Sequence, residues 1–303
     1  MDLDAEEFWV NFYASHDDMG REWYVDRSIS LQWSARLLAP LLRGPSRRRV
    51  LHVGAGTSTL HLSIAAALRA ARDCAAAVAP TTIVNLDFAP ESVAALERHT
   101  AEVLPTPRSG AAAAVDAFEF VAADVRELGD VFGRASFAAA VDKGTLDSML
   151  ANAAVRSSNA HMALFELSQV LTPRGGRLVI FSLFGPLDRL RYLLDGEEVA
   201  SAAAMCAGGG TAGSVPSIDA AAAEDAAART FVACATAAED GSDIDDGALS
   251  YTALGLADAG VSRRYGWRVW WRGLNIAPLE VGFSNETYLY VCERIAAEPE
   301  GMS

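Results

Sequence analysis

The chain has 303 residues, 51% of them hydrophobic, and a mean hydropathy of +0.16. That is enough for one large domain or two small ones with a sizeable core, although much of the apolar count is alanine. A formal net charge of −14 argues against a nucleic-acid footprint, and no run of about 18 strongly apolar residues is present to span a membrane.

The N-terminal "MDLDAEEFW" is acidic and aromatic, unlike a secretory signal or an Arg-rich mitochondrial presequence, so the expected compartment is the cytosol. "RRVLHVG" (48–54) reads as a buried strand and "STLHLSIAAALRAAR" (58–72) as a helix. "TIVNLDF" (82–88) is a strand, and "PESVAALERHTAEV" (90–103) a helix with Pro in its first turn. A small insertion, "PTPRSGAAAAVDA" (105–117), separates these from strands at 118–125 and 137–144. A helix at 159–172 is stopped by "PRGG", and "GRLVIFSL" (176–183) follows as a strand.

From Asp195 to Ser250 the composition changes. Eleven acids stand against Arg229 as the one base, and large apolar residues are almost absent. Such a segment buries too little to offset its ordering entropy. It reads as a disordered insertion at 195–250, with at most a transient Ala-rich helix near 219 to 238, interrupting a single domain formed by 1–194 and 251–297. Beyond it, "WRVWWRGL" (267–274) and "ETYLYVCER" (286–294) read as an antiparallel pair. Alternating strands and helices imply an α/β, Rossmann-like doubly wound sheet, mostly parallel with an antiparallel last strand. Ligands of such sheets bind at the carboxyl ends of the strands.

Those ends carry the informative residues. The first strand closes in "HVGAGTSTL", where Gly54 and Gly56 form a G-x-G opening a helix; position 59 is Thr, so the full dinucleotide fingerprint is absent. An ordinary strand-to-helix turn would use the same glycines. The second strand ends in Asp87, followed by Phe88; a carboxylate there can accept both ribose hydroxyls of an adenosine. The third ends in "AADV", where Asp124 could bond an adenine amino group and Val125 could pack on the ring, though a turn Asp fits as well. Three such ends in order favour an adenosine site. A nicotinamide site would start the same way, but the antiparallel last pair and the missing third glycine favour S-adenosylmethionine.

The fourth strand runs into "VDKGTLDSML" (141–150), with Asp142 and Asp147 on either side of Lys143, Gly144 and Thr145. The G-x-x-x-x-G-K-[ST] frame of a phosphate loop is missing, and Lys-Gly-Thr is not the order of an aspartyl-phosphate site. The cysteines Cys74, Cys206, Cys234 and Cys292 are far apart, with no C-x-x-C, and His16, His52, His61, His99 and His161 are scattered. Neither set suggests a metal, and none is expected.

Taken together, the chain resembles the class I, seven-strand S-adenosylmethionine-dependent methyltransferases. Within them it is similar to the branch of the elongation factor 1-alpha lysine and N-terminal methyltransferase and the citrate synthase lysine methyltransferase. The resemblance rests on "FWVNFY" (8–13) with "EWYVD" (22–26), "VLHVGAGTSTL", "VNLDFAPESV", "VAADVREL", "VDKGTLDSML" and "LTPRGGRLVIFSL", and covers residues 8–194 and 262–294. The chain departs from that branch in having Asp142 where Glu is common, Phe12 where an Arg is usual, and Ala55 where Cys is frequent.

The resemblance implies an enzyme using S-adenosylmethionine, with methyl transfer to a protein lysine or N-terminal amine. A small-molecule methyltransferase and a non-catalytic scaffold of the same fold are the alternatives. It implies that Gly54, Ala55 and Gly56 line the methionine moiety, that Asp87 holds the ribose, that Asp124 and Val125 meet the adenine, and that Phe88 also contacts the cofactor. Trp9, Tyr13 and Trp23 would close over the cofactor, although core packing would use the same aromatics. Asp142 and Lys143 would lie beside the reactive methyl, with Asp142 the first candidate to handle the amine proton and Asp147 the second, although Asp147 could instead cap the following helix. Gly144, Thr145 and Asp147 would face the acceptor. A protein substrate is expected, with neither nucleic acid nor membrane as partner.

Overall fold

The computed structural model describes residues 6–15, 19–44, 46–74, 78–104, 117–151, 153–194, 213–214, 220–236, 251–275 and 286–295. One sheet organises them. Its parallel strands are β1 (Arg48–Val53), β2 (Thr81–Asp87), β3 (Ala117–Ala122), β4 (Ala139–Lys143) and β5 (Arg177–Ser182). Their order is β3-β2-β1-β4-β5. β9 (Glu286–Arg294) follows antiparallel to β5, and β8 (Trp267–Asn275) antiparallel to β9; the bridge β6 (Gly213–Ser214) and the hairpin strand β7 (Ala257–Ser262) both pair with β8. The fold is therefore the Rossmann-like, mostly parallel sheet expected, with antiparallel last strands.

Every residue of β2, β4 and β5 is buried. Strands covered on both faces need apolar residues at every position rather than at alternate ones. Successive side chains still divide between the two faces. Val50, Ile83, Val179 and Leu289 enter one core, while their neighbours Leu51, Val84, Ile180 and Tyr290 enter the other. The first core is covered by α2 (Arg27–Leu38), α3 (Leu60–Cys74) and the helix Ala220–Thr236, here α9. The second is covered by α7 (Ala153–Val170) and α8 (Pro186–Leu193). The remaining helices are α1 (Glu6–Ser15), α4 (Pro90–Val103), α5 (Leu128–Phe132) and α6 (Thr145–Met149).

Two elements differ from the sequence reading. Residues 27–38 carried no reading, yet form α2. The helix buries Ser28, Ser30 and Ser34 beside Ile29, Leu31 and Trp33, so its apolar contrast is flat. The second is α9. The Ala-rich stretch expected as transient within a disordered insertion is a packed helix: Ala223, Ala227 and Phe231 sit in the first core, and Glu224 accepts a hydrogen bond from Ser63 of α3 at 2.8 Å. Packing supplies the reason: α9 lies against α2 and α3. Alanine is a poor source of buried area but lets helices approach closely. The other residues of 195–250, apart from 213–214, and nearly all of the 105–117 insertion lie outside the described residues.

Phe231 is 2% exposed. Phe231→Ala should lower the unfolding free energy by about 3–5 kcal/mol, as large-to-small changes in packed cores do. In urea this reads as a lower midpoint at unchanged slope; an unmoved midpoint would mean that α9 is not part of the core.

Candidate functional site

β1 is flanked by β2 on one side and β4 on the other, so chain connectivity reverses between β1 and β4. A crevice opens at the carboxyl ends of the strands on such a reversal. Here it is a cavity lined by Gly54 after β1, by Leu86, Asp87 and Phe88 at the end of β2, and by Ala123, Asp124, Val125 and Arg126 after β3. Lys143, Gly144, Thr145, Ser148 and Met149 line it from the end of β4 and from α6, and Asn159 from α7. Trp9 and Tyr13 of α1, with Trp23 and Tyr24 from the segment after it, complete the wall.

Asp87 has two tasks. Oδ2 accepts the Gly56 N–H at 2.9 Å and Oδ1 the Ala89 N–H at 3.0 Å, tying the glycine turn to the start of α4. Burial pushes its carboxyl up to about 6 against the backbone N–H groups that favour the anion. Each carboxylate oxygen keeps further lone-pair capacity for a ligand in the cavity. Gly56 has φ +51, and a Cβ there would collide with the Tyr13 hydroxyl oxygen. Glycine is thus required both for the backbone angle and for the approach of α1.

The segment between α1 and α2 is fastened to the turn after β1 at several points. The Gly20 N–H donates to the Thr57 carbonyl at 2.7 Å, Ser58 Oγ donates to Glu22, and Arg27 Nη1 donates to Thr59 Oγ1 at 2.6 Å. Glu22 Oε2 also pairs with Lys143 Nζ at 2.7 Å, with the lysine side chain 3% exposed. α1 lies over this segment through rings. Trp9 meets Trp23 edge-on with centroids 5.8 Å apart, and the Arg21 guanidinium stands 4.7 Å from the Trp23 ring and 5.5 Å from that of Phe12.

Of the residues anticipated from sequence, Trp9, Tyr13, Trp23, Gly54, Asp87, Phe88, Asp124, Val125, Lys143, Gly144 and Thr145 line the cavity. Asp124 does so while already bonded to Arg126 through both its backbone N–H and its guanidinium. Burial alone would raise the Asp124 carboxyl, but Arg126 holds it below its usual range. Ala55 and Gly56 are buried behind the wall.

Asp142 and Asp147 are not brought to this cavity. Asp142, 2% exposed, accepts the Thr145 N–H at 2.9 Å and the Leu146 N–H at 3.3 Å, the open donors at the start of α6. Burial, with Asp147 adding to it, pushes its carboxyl up to about 6. Asp147, also 2% exposed, accepts Ser182 Oγ at 2.6 Å, the Leu183 N–H at 2.9 Å and Arg189 Nε at 2.9 Å. It links α6 to the end of β5 and to α8. Both carboxylates thus make structural hydrogen bonds, and neither lines the cavity wall. Sequence reasoning missed Tyr24, Leu86, Ala123, Arg126, Ser148, Met149 and Asn159. All but Asn159 lie inside motifs already singled out.

No family model matches the chain. It is 33% identical over 169 residues to the mitochondrial citrate synthase-lysine N-methyltransferase of Pongo abelii, an alignment covering 54% of this chain and 63% of that protein. The chain thus spans less than two thirds of the length of the curated relative it matches. Among solved structures it is similar to the YcgJ protein of Bacillus subtilis, with 15% identity, 88% of this chain, 99% of that chain and a TM-score of 0.40. It is also similar to a SAM-dependent methyltransferase from Geobacter sulfurreducens in complex with S-adenosyl-L-homocysteine, with 15% identity, 96% of this chain, 98% of that chain and a TM-score of 0.38.

Removing one member of a buried ion pair strands the other charge, typically at about 3–5 kcal/mol. Glu22→Gln should show a loss of that order in the denaturation midpoint. A Glu22→Met, Lys143→Met double variant should recover most of it. Equal losses in both variants would mean that packing, not charge, is what the pair supplies.

Proposed function

We propose that the chain is an S-adenosylmethionine-dependent methyltransferase whose acceptor is an amine of a protein, a lysine side chain or an N-terminal α-amine. One observation carries the first half: a single cavity at the sheet's reversal point gathers the ends of β1, β2, β3 and β4 under four aromatic side chains. The order of contributions, with a glycine turn, an acidic β2 end and an Asp-Val after β3, supports an adenosine-bearing ligand. The second half is supported by the lysine methyltransferase activity named for the curated relative.

The residues fit the cofactor. Asp87 accepts the ribose hydroxyls, Phe88 and Val125 flank the base, and Gly54 leaves room for the methionine chain. Trp9, Tyr13, Trp23 and Tyr24 supply ring faces and edges around a positive sulfonium, which aromatic π systems attract. When bound, S-adenosylmethionine supplies a methyl group activated on sulfur, the C–S bond breaking as the N–C bond forms. The chain's contribution is position, orientation and exclusion of water. Asp142 and Asp147 shape the acceptor edge by holding α6 in place, and the amine's proton leaves to solvent.

The test uses tritiated S-adenosylmethionine. The wild-type chain should bind it, with affinity falling as the pH drops below about 6, because protonating Asp87 makes it a weaker acceptor for the ribose hydroxyls. Asp87→Ala should weaken binding about tenfold or more. With a cell lysate, label should enter a protein band. Label confined to small molecules would overturn the protein acceptor, and absence of binding would overturn the reading as a whole.

A further inference from the structure

Tyr24 has the most unusual backbone in the cavity wall. Its φ is +67, and the Val25 N–H donates to the Trp23 carbonyl across it at 2.7 Å, a three-residue turn. For a bulky side chain this left-handed angle is unfavourable, and it persists only where the surroundings over-determine it. Both flanks do so. On one side Glu22 is held by Lys143 and Ser58; on the other Asp26 accepts the Ser28 N–H at 2.6 Å and caps α2, while Arg27 is held by Thr59.

The turn sends the Tyr24 ring to the end of β4. A Cβ on Gly144, whose φ is +104, would lie 2.7 Å from Tyr24 Cε2, so only glycine admits the ring there. The ring stands in the field of Asp142, Asp147 and Arg189, yet among the described residues the Tyr24 hydroxyl has no hydrogen-bond partner. Burial, and then the two carboxylates, push the phenol above its usual range and keep it protonated. The nearby carboxylates are already engaged, Asp142 by the N–H groups of α6 and Asp147 by Ser182, Leu183 and Arg189.

Resting on the methyltransferase reading above, we propose that the Tyr24 hydroxyl holds the acceptor nitrogen beside the reactive methyl. An amine attacking in line points its lone pair at the methyl, and its N–H groups point away and need acceptors. A neutral phenol oxygen accepts one of them and leaves the lone pair free. The strained turn is then a positioning device, set by the same contacts that fasten the segment over the cavity.

Tritiated S-adenosylmethionine with a cell lysate tests this without a known acceptor. Tyr24→Phe keeps the ring and the fold, as a thermal melt would verify, and calorimetry should find its affinity for S-adenosylhomocysteine changed by less than about twofold. Loss of the acceptor for the amine N–H should slow labelling of the protein band about tenfold. Labelling at the wild-type rate, or an equal fall in S-adenosylhomocysteine affinity, would overturn the proposal by reducing Tyr24 to a wall residue. If the wild type neither binds nor labels, the methyltransferase reading fails first and Tyr24 falls with it.

Discussion

The buried pair between Glu22 and Lys143 is the contact on which the cavity depends. Lys143 is the last residue of β4 and Glu22 belongs to the segment between α1 and α2, so one ion pair fixes the chain's N-terminal layer to the centre of the sheet. A buried pair contributes little net stability over an apolar replacement, because desolvation offsets the Coulomb gain. It does define register. With Glu22 shared between Lys143 and Ser58, Trp23 and Tyr24 can occupy only one place, and the Trp23 ring then sets where α1 and its aromatics lie.

Seen from that pair, the acidic residues fall into two groups. Asp87 and Asp124 line the cavity and also serve the backbone or a neighbouring arginine. Asp142 and Asp147 do not line it and accept hydrogen bonds from α6, β5 and α8. A raised carboxyl is therefore not by itself a sign of proton transfer: Asp142 is raised to about 6 because it is buried as a helix cap. Amine methylation tolerates this arrangement, since the donor carries the activation and the protein has mainly to orient and desolvate.

The sheet was legible because its central strands are buried on both faces and carry apolar residues at consecutive positions, as in "LVIF" of β5. The strand-end residues Gly54, Asp87 and Val125 followed from their order along the chain. α2 was hidden by its buried serines, β7 by the small residues of "ADAGVS" and the irregularity between Asp258 and Gly260, and α9 by an alanine-rich, acidic composition that mimics a disordered tract. Tyr24 was missed for a different reason. It sits in a quoted motif, but whether its side chain faces the cavity depends on one backbone angle, and no spacing rule records its positive φ.

The central claim is that the N-terminal layer and the glycine turn form one ligand-binding unit joined through Glu22 and Lys143. Amide hydrogen exchange with and without saturating S-adenosylmethionine tests it most directly, since it reports local opening segment by segment. Exchange should slow together in residues 6–15, 19–26 and 54–60 when the ligand is present. Protection confined to 54–60, with 6–26 exchanging as in the free protein, would contradict it.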